Sequence, residues 1–465
     1  MIQLADPINR LLFRIVACLL IVSAASARAE EEPANTPDIE AKSPALRRAM
    51  AEYEKKAPEI ALRIDEAAAA SRENAALLYF QALLARREPD PGTAEALNAL
   101  ARGGKPDIRV KAYLGRSLRT IDLAHLAAQM PQCHWGPMRA GEQQLDFNLG
   151  IPLRRLSRLL DADARTLAAD GHNRAALARC LTLRRLAHHT GADTYNLYSI
   201  SQSIHTMSLL TVAHVLSLRP ANAETLTWLK GQLAAVPGTP FEPAQALRRW
   251  RDAELQFWRT RPRGRAFTRD VILAKLADAN DRKTLATLTD EQLLVLALQG
   301  EQKVPGLYGG LSAPPQLLER AQRACDEYLQ SALQIMTADL PYREKHAKLQ
   351  AMVDSLDDRA ASGDPIALLS EAPRVVELYH RLMVRNAVYD NLVAAAIEIC
   401  LVEANTGHLP QTLPSRLPKD LYTGKDFAYE QTAKGFTLRF DPDNVSRIRV
   451  RQFEFKTEAG GTQNP

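Results

Sequence analysis

Residues 149–167, LGIPLRRLSRLLDADARTL, decide the fold class. Leu149, Leu153, Leu156, Leu160, Ala164 and Leu167 step by four, three, four, four and three residues, which lays them along one side of a helix. Leu177, Cys180, Leu183 and Ala187 repeat the pattern on a second helix, ended by Gly191. A third is predicted from about Thr194 to Leu218, stopping before Pro220, and a fourth over Ala223 to Ala235. Connections this short make neighbours antiparallel, so the spacing predicts one bundle.

Outward from that block, upstream spacing predicts shorter helices over Pro44 to Ala70, Glu73 to Arg87, Thr93 to Ala101 and Asp107 to Met130. Pro89-Asp90-Pro91-Gly92 and Gly103-Gly104 divide them, as in an array of helical hairpins. No fixed repeat length is present. Downstream, helices are expected over Gln316 to Ala338, Tyr342 to Ala361 and Glu371 to Asn405, the last closed by Gly407 and Pro410. The period then changes to two: Phe427 and Tyr429, then Phe436, Leu438 and Phe440 after Lys434-Gly435, then Ile448, Val450, Phe453 and Phe455 with a bend at Arg451-Gln452. Three such strands need a helix over their apolar face, and Glu371 to Asn405 is the expected cover. The expectation is a mainly α protein, a multi-helix bundle and helical-hairpin array with a small C-terminal antiparallel β-sheet.

Met1 to Ala29 reads as a cleavable export signal: Arg10 and Arg14 precede an apolar run, and Ala27-Arg28-Ala29 supplies small residues before Glu30. The run is too short to cross a bilayer, so membrane contact is expected only through this segment before cleavage. Ile15-Val16-Ala17-Cys18 is an alternative lipidation box, with its cysteine early in the apolar run. The chain then divides into the signal (1–29), a flexible leader (30–43), N-terminal hairpins (44–130), a central bundle (131–300), a Gly/Pro-rich loop (301–315) that is a candidate lid or hinge, C-terminal helices (316–405) and a β module (406–465). The 59 Lys and Arg nearly balance the 54 Asp and Glu, which gives no field for steering nucleic acid. Cys133, Cys180, Cys325 and Cys400 allow three disulfide pairings or four buried thiols.

Two blocks resemble a family of secreted, mostly helical bacterial proteins of unknown function. One is Cys133-His134-Trp135-Gly136 with the helices through Leu218; the other is Ala394-Ala395-Ala396-Ile397-Glu398, then Gly407-His408-Leu409-Pro410 and Asp420 to Tyr429. The second block is also similar to the soluble part of type II secretion pseudopilins, in which a helix leads through a Gly-x-x-Pro turn into a small sheet. That resemblance implies the local fold, and a place beside a secretion machine as one alternative.

The third bundle helix is unusually polar. Ser201, His205 and Ser208 share a face, as do Tyr198, Gln202 and His205, so His205 is a candidate base or the lining of a polar pocket. The plainer reading is hydroxyls bonding across to neighbouring helices, because no acid stands nearby in sequence. Cys133 and His134 are a conceivable nucleophile pair, although such partners usually meet through the fold. His172, His188 and His189 lack the spacing of a zinc site. Glu398, set among apolar neighbours, needs a cation such as Arg381 or Arg385. Trp250, Trp258 and Arg251, with Tyr198, are candidates for stacking on an extended ligand. No phosphate loop, nucleophile elbow or paired-acid pattern occurs, and no cofactor or metal is expected. The expectation is a noncatalytic binding or scaffold protein of the periplasm or cell envelope with a protein partner there. The alternative is an envelope-polymer hydrolase or lyase with a cleft near His205 and the Cys133 loop.

Overall fold

The computed structural model describes residues 43–135, 143–191, 195–218, 222–236, 243–260, 269–270, 273, 287–303, 311–369, 371–414, 416–441 and 452–456. Two compact units divide the chain, Met1–Arg47 and Arg48–Pro465; of the first, 43–47 fall among the described residues. The signal with Cys18, nearly all of the leader, residues 304–310 of the Gly/Pro-rich loop, the Trp250 side chain, and Ile448, Val450 and Arg451 lie outside them.

The first helices among the described residues are α1 (Pro44–Leu62) and α2 (Glu66–Ala70), where spacing predicts one run. The break is set by distant side chains. Asp65 caps α2 by accepting from the Ala68 N–H at 2.9 Å, while the Arg63 carbonyl accepts from His125 Nε2 at 2.8 Å and Gln129 Nε2 at 3.0 Å. Next come α3 (Ala75–Ala85), α4 (Pro91–Ala101), α5 (Ile108–Arg116) and α6 (Leu118–Gln129). Asn74, Asp90 and Asp107 cap the first three of these. The single helix expected from Asp107 to Met130 is interrupted at Ser117, whose N–H turns back to the Leu114 carbonyl.

The bundle consists of α7 (Gln143–Ala169), α8 (Asn173–Thr190), α9 (Tyr195–Leu218) and α10 (Ala223–Ala235). The leucine stripe lies where the spacing puts it: Leu153, Leu156, Leu160, Ala164 and Leu167 are all buried. Between α7 and α8, Asp163 accepts from Arg179 Nε at 2.6 Å and from the Tyr53 hydroxyl at 2.8 Å, with both charged side chains fully buried. Burial outweighs these partners and raises the Asp163 carboxyl above its ordinary value.

Beyond the bundle run α11 (Pro243–Thr260), α12 (Asp290–Lys303), α13 (Pro315–Thr337), α14 (Tyr342–Ala361), a 3-10 turn (Pro365–Leu369), α15 (Glu371–Arg374) and α16 (Val376–Thr406). The helix expected from Glu371 to Asn405 is thus two pieces separated at Val375, and Pro373 brings no backbone donor to the first. Gly407, at φ 75°, closes α16 with its N–H on the Glu403 carbonyl at 2.7 Å. Strands β1 (Ala428–Thr432), β2 (Gly435–Arg439) and β3 (Gln452–Lys456) form an antiparallel sheet in that order. Its register aligns Tyr429 with Leu438 and Leu438 with Phe453, and Tyr389 of α16 meets Phe440 and Phe453 edge-on, so α16 covers the sheet as expected.

Apolar side chains gather into two cores. One takes in α1 to α10, the C-terminal part of α16 and the sheet; the other takes in α11 to α14, the 3-10 turn and the start of α16. Thus α11 and α12, although close to the bundle in sequence, pack with the C-terminal helices.

Two glycines offer opposite tests of packing. A Cβ on Gly115 would overlap the Ala49 carbonyl of α1, whereas Gly231 in α10 has nothing within 4 Å. Gly115→Ala is expected to lower stability by about 1–3 kcal/mol through overpacking. Gly231→Ala is expected to raise it by about 0.5–1 kcal/mol through helix propensity. Urea unfolding midpoints of the two variants check both signs.

Candidate functional site

Helix α8 is buried along most of its surface; Arg174, Ala178, Leu181, Arg185 and His188 step by four, three, four and three residues along one face, on which Ala178 and Leu181 are buried, Arg185 and His188 half-buried and Arg174 exposed. This stripe floors a cleft of about 500 Å³. Trp228 and Gln232 of α10 and its C-cap Val236 form one wall; Leu62, Arg63 and Ile64 around the α1–α2 break, with His125 and Gln129 of α6, form another.

The charge of the cleft has one sign. Among its described lining residues are three arginines and no Asp or Glu. Arg63 pairs with Asp122, and Arg174 pairs with Glu224 at 2.8 Å while its guanidinium lies 5.1 Å from the Trp228 ring centre. Arg185 has a different environment: among the described residues its hydrogen-bond partner is the Gln232 amide oxygen at 3.4 Å, and no carboxylate pairs with it. Burial pulls its guanidinium below its ordinary value, yet a guanidinium stays charged at neutral pH.

Three histidines line the cleft, His125, His188 and His189, and hydrogen bonds occupy both ring nitrogens of His125 and of His189. Burial, then the Arg179 charge, pushes His125 down to about 3, so the ring is neutral. Its Nε2–H must donate to the Arg63 carbonyl, which leaves Nδ1 to accept from the Thr182 hydroxyl at 3.1 Å. Burial likewise pushes His189 down to about 3. The Tyr79 hydroxyl, whose own proton is held by burial, donates to His189 Nδ1 at 3.0 Å, and the Met130 carbonyl takes the Nε2–H. Neither ring keeps a nitrogen for proton transfer to a ligand.

His205 does have an acid, brought from another helix: Nε2 lies 2.8 Å from Oδ2 of Asp390 on α16, whose Oδ1 accepts from Arg184 Nη1 at 2.6 Å. Burial alone would raise that carboxyl, but the His205 hydrogen bond and the His205 and Arg184 charges hold it below its ordinary value. The order is the reverse of a catalytic triad, because the imidazole is 2% exposed and the carboxylate 33%. Ser201 donates to the Ala187 carbonyl at 2.6 Å and Ser208 to the His205 carbonyl at 2.8 Å, so neither hydroxyl bonds the ring. The hydroxyl face is used for helix-to-helix bonding: Thr206 donates to Asn386 Oδ1 at 2.6 Å, and Asn386 Nδ2 donates to Gln202 Oε1 at 2.6 Å.

The Cys133 loop is joined to the other side of α8. The Trp135 indole donates to the His189 carbonyl at 2.8 Å and its ring stacks on Tyr79 at 5.5 Å. Arg184 and His189 are five residues apart, roughly 140° around the helix, so the His205 network and this loop occupy different faces. Cys133 is buried, while His134 is exposed with its backbone bonded to Asn74 in both directions. No disulfide joins Cys133, Cys180, Cys325 and Cys400. Burial raises the Cys180 thiol and pushes Cys325 and Cys400 up to about 12, away from thiolate chemistry.

Glu398 takes its cation from Lys230 of α10, not from Arg381 or Arg385; one turn of α16 already separates it from either arginine several times over. Trp258 is buried with its indole donating to the Leu368 carbonyl at 3.2 Å, and Tyr198 is buried edge-on to Tyr379 at 4.8 Å, so neither offers a ring face to a ligand. Arg251 pairs with Asp252 at 2.7 Å and with Asp326. Among the described residues, no three His, Cys, Asp or Glu side chains are placed to hold a metal ion. Sequence reasoning missed Arg185, Gln232, Trp228 and His125. The readable signal was the stripe on α8, where apolar and cationic residues share one face.

Stability should respond to the buried histidines. His125 and His189 sit far below the usual histidine range when folded, so above about pH 6.5 neither state gains a proton and stability is level. Below that, unfolding takes up a proton at each ring, and stability falls by about 1.4 kcal/mol per pH unit per histidine until roughly pH 3. Urea titrations between pH 7.5 and 5 should show this slope, and His125→Gln with His189→Gln should flatten it. Comparison with protein families, curated proteins and solved structures finds no match for this chain, so its function is argued from its own side chains.

Proposed function

We propose that this chain is an exported, noncatalytic binding protein whose cleft between the α1–α2 break, α6, α8 and α10 holds a small ligand by an anionic group set against Arg185. One observation carries the reading: a cleft of about 500 Å³ whose described lining holds three arginines and no carboxylate, and in which Arg185, among the described residues, has an amide for a partner and no acid. A cation in such a site gains most from a ligand that brings the missing charge and bonds to the fork of the guanidinium. The volume is that of a small-molecule site. The occupied nitrogens of His125 and His189, and the His205 ring set behind Asp390, support binding over catalysis. The signal-like stretch Met1 to Ala29 supports export, and among the described residues no helix is long and apolar enough to cross a membrane.

Fluorescence titration of the full chain with anilinonaphthalene sulfonate, an apolar body carrying one anion, tests the reading. One saturable site is expected, weakened at least tenfold by Arg185→Gln, in keeping with a charge-assisted bond of about 1.4 kcal/mol or more. Absence of saturable binding, or an affinity unchanged in that variant, removes the proposal.

A further inference from the structure

The two cationic ends of the cleft floor are unequal, and the inequality specifies the ligand further. Arg174 and Arg185 are eleven residues apart on α8, roughly 16 Å along the axis, with Ala178 and Leu181 between them on the same face. At the Arg174 end the charge is already balanced by Glu224 and the guanidinium rests against Trp228. At the Arg185 end no carboxylate among the described residues balances the charge. A ligand with an anion at each end would therefore find one counter-charge and leave its other anion beside apolar walls. Between the ends the cleft offers hydrocarbon: Ala178 and Leu181 below, Trp228 and Val236 on one side, Ala61 on another. At its edge Leu62 is 45% exposed and Ile64 79% exposed, large apolar side chains left in water beside the opening.

Resting on the binding reading above, we propose that the ligand class is a single-chain amphiphile with one monoanionic head, the head on Arg185 and Gln232 and the chain covering Leu181, Trp228 and the Leu62–Ile64 lip. The head completes the ion pair that Arg185 lacks. The chain removes from water the apolar surface that the fold leaves exposed at Leu62 and Ile64.

Calorimetric titration of the full chain with butanoate, hexanoate, octanoate and decanoate tests this, with octanedioate and 1-octanol as controls. Affinity is expected to rise about fourfold for each added methylene. Octanedioate is expected to bind at least tenfold more weakly than octanoate. Arg185→Gln is expected to weaken octanoate at least tenfold while moving 1-octanol less than twofold, and Arg185→Lys, which keeps the charge but loses the guanidinium fork, should give an affinity between those of the parent chain and Arg185→Gln. Trp228→Ala should flatten the dependence on chain length and keep the dependence on Arg185. Carboxylate binding that needs Arg185 but ignores chain length, or octanedioate matching octanoate, overturns the amphiphile and leaves the anion-binding cleft standing. Failure of every carboxylate, together with failure of the sulfonate probe, overturns both.

Discussion

Helix α8 must satisfy polar side chains while surrounded by other helices, and the rest of the molecule is arranged around that requirement. A buried polar group without a partner costs more than its bond returns, so four of those on α8 each draw a different neighbour into contact. Arg179 meets Asp163 of α7, Thr182 meets His125 of α6, Arg184 meets Asp390 of α16, and His189 meets Tyr79 of α3. Even a backbone carbonyl of α8, that of Ala187, is met by Ser201 of α9. Leucine stripes would let helices rotate against each other with little penalty; these bonds fix which face of α8 each neighbour sees. The cleft is the face left over.

The Asp163–Arg179 pair shows how such bonds act. Both side chains are fully buried, the carboxyl is raised by desolvation despite its partners, and Arg179 Nη1 and Nη2 have no hydrogen-bond partner among the described residues. Pairs of this kind are weak sources of net stability, because desolvating two charges offsets their attraction. What the pair does supply is geometry. Asp163 also accepts from Tyr53, so α1, α7 and α8 are held in one relation, and α1 then ends where its Arg63 carbonyl can reach His125.

Elements governed by local pattern were legible in the sequence. The leucine steps of α7, the Gly407 stop of α16 and the alternation of Tyr429, Phe436, Leu438 and Phe455 all report periodicity or a positive φ, which neighbours along the chain determine. The breaks at Arg63–Asp65 and Ser117 were not legible, since helical spacing continues through both. The first is made by side chains about sixty residues away in α6. The candidate site follows the same division. The polar face around His205 was visible as a run of hydroxyls, but its acid lies 185 residues downstream, and nothing local marks Asp390 as its partner. Nothing local separates Arg184 from Arg185, because the acid that distinguishes them belongs to α16.

That pair of adjacent arginines contains the logic of the cleft. Successive residues on a helix point about 100° apart, so Arg184 and Arg185 face different neighbours although their backbones are continuous. Arg184 turns to Asp390, and its charge is neutralised within the network that also holds His205. Arg185 turns to His125, His189 and Tyr79, groups that burial keeps uncharged, and to the Gln232 amide. Had α10 carried a carboxylate in place of that amide, the two arginines would be equivalent and the cleft would be electrically closed. An amide at Gln232 orients the guanidinium without cancelling it, which leaves a directed positive charge over an apolar floor.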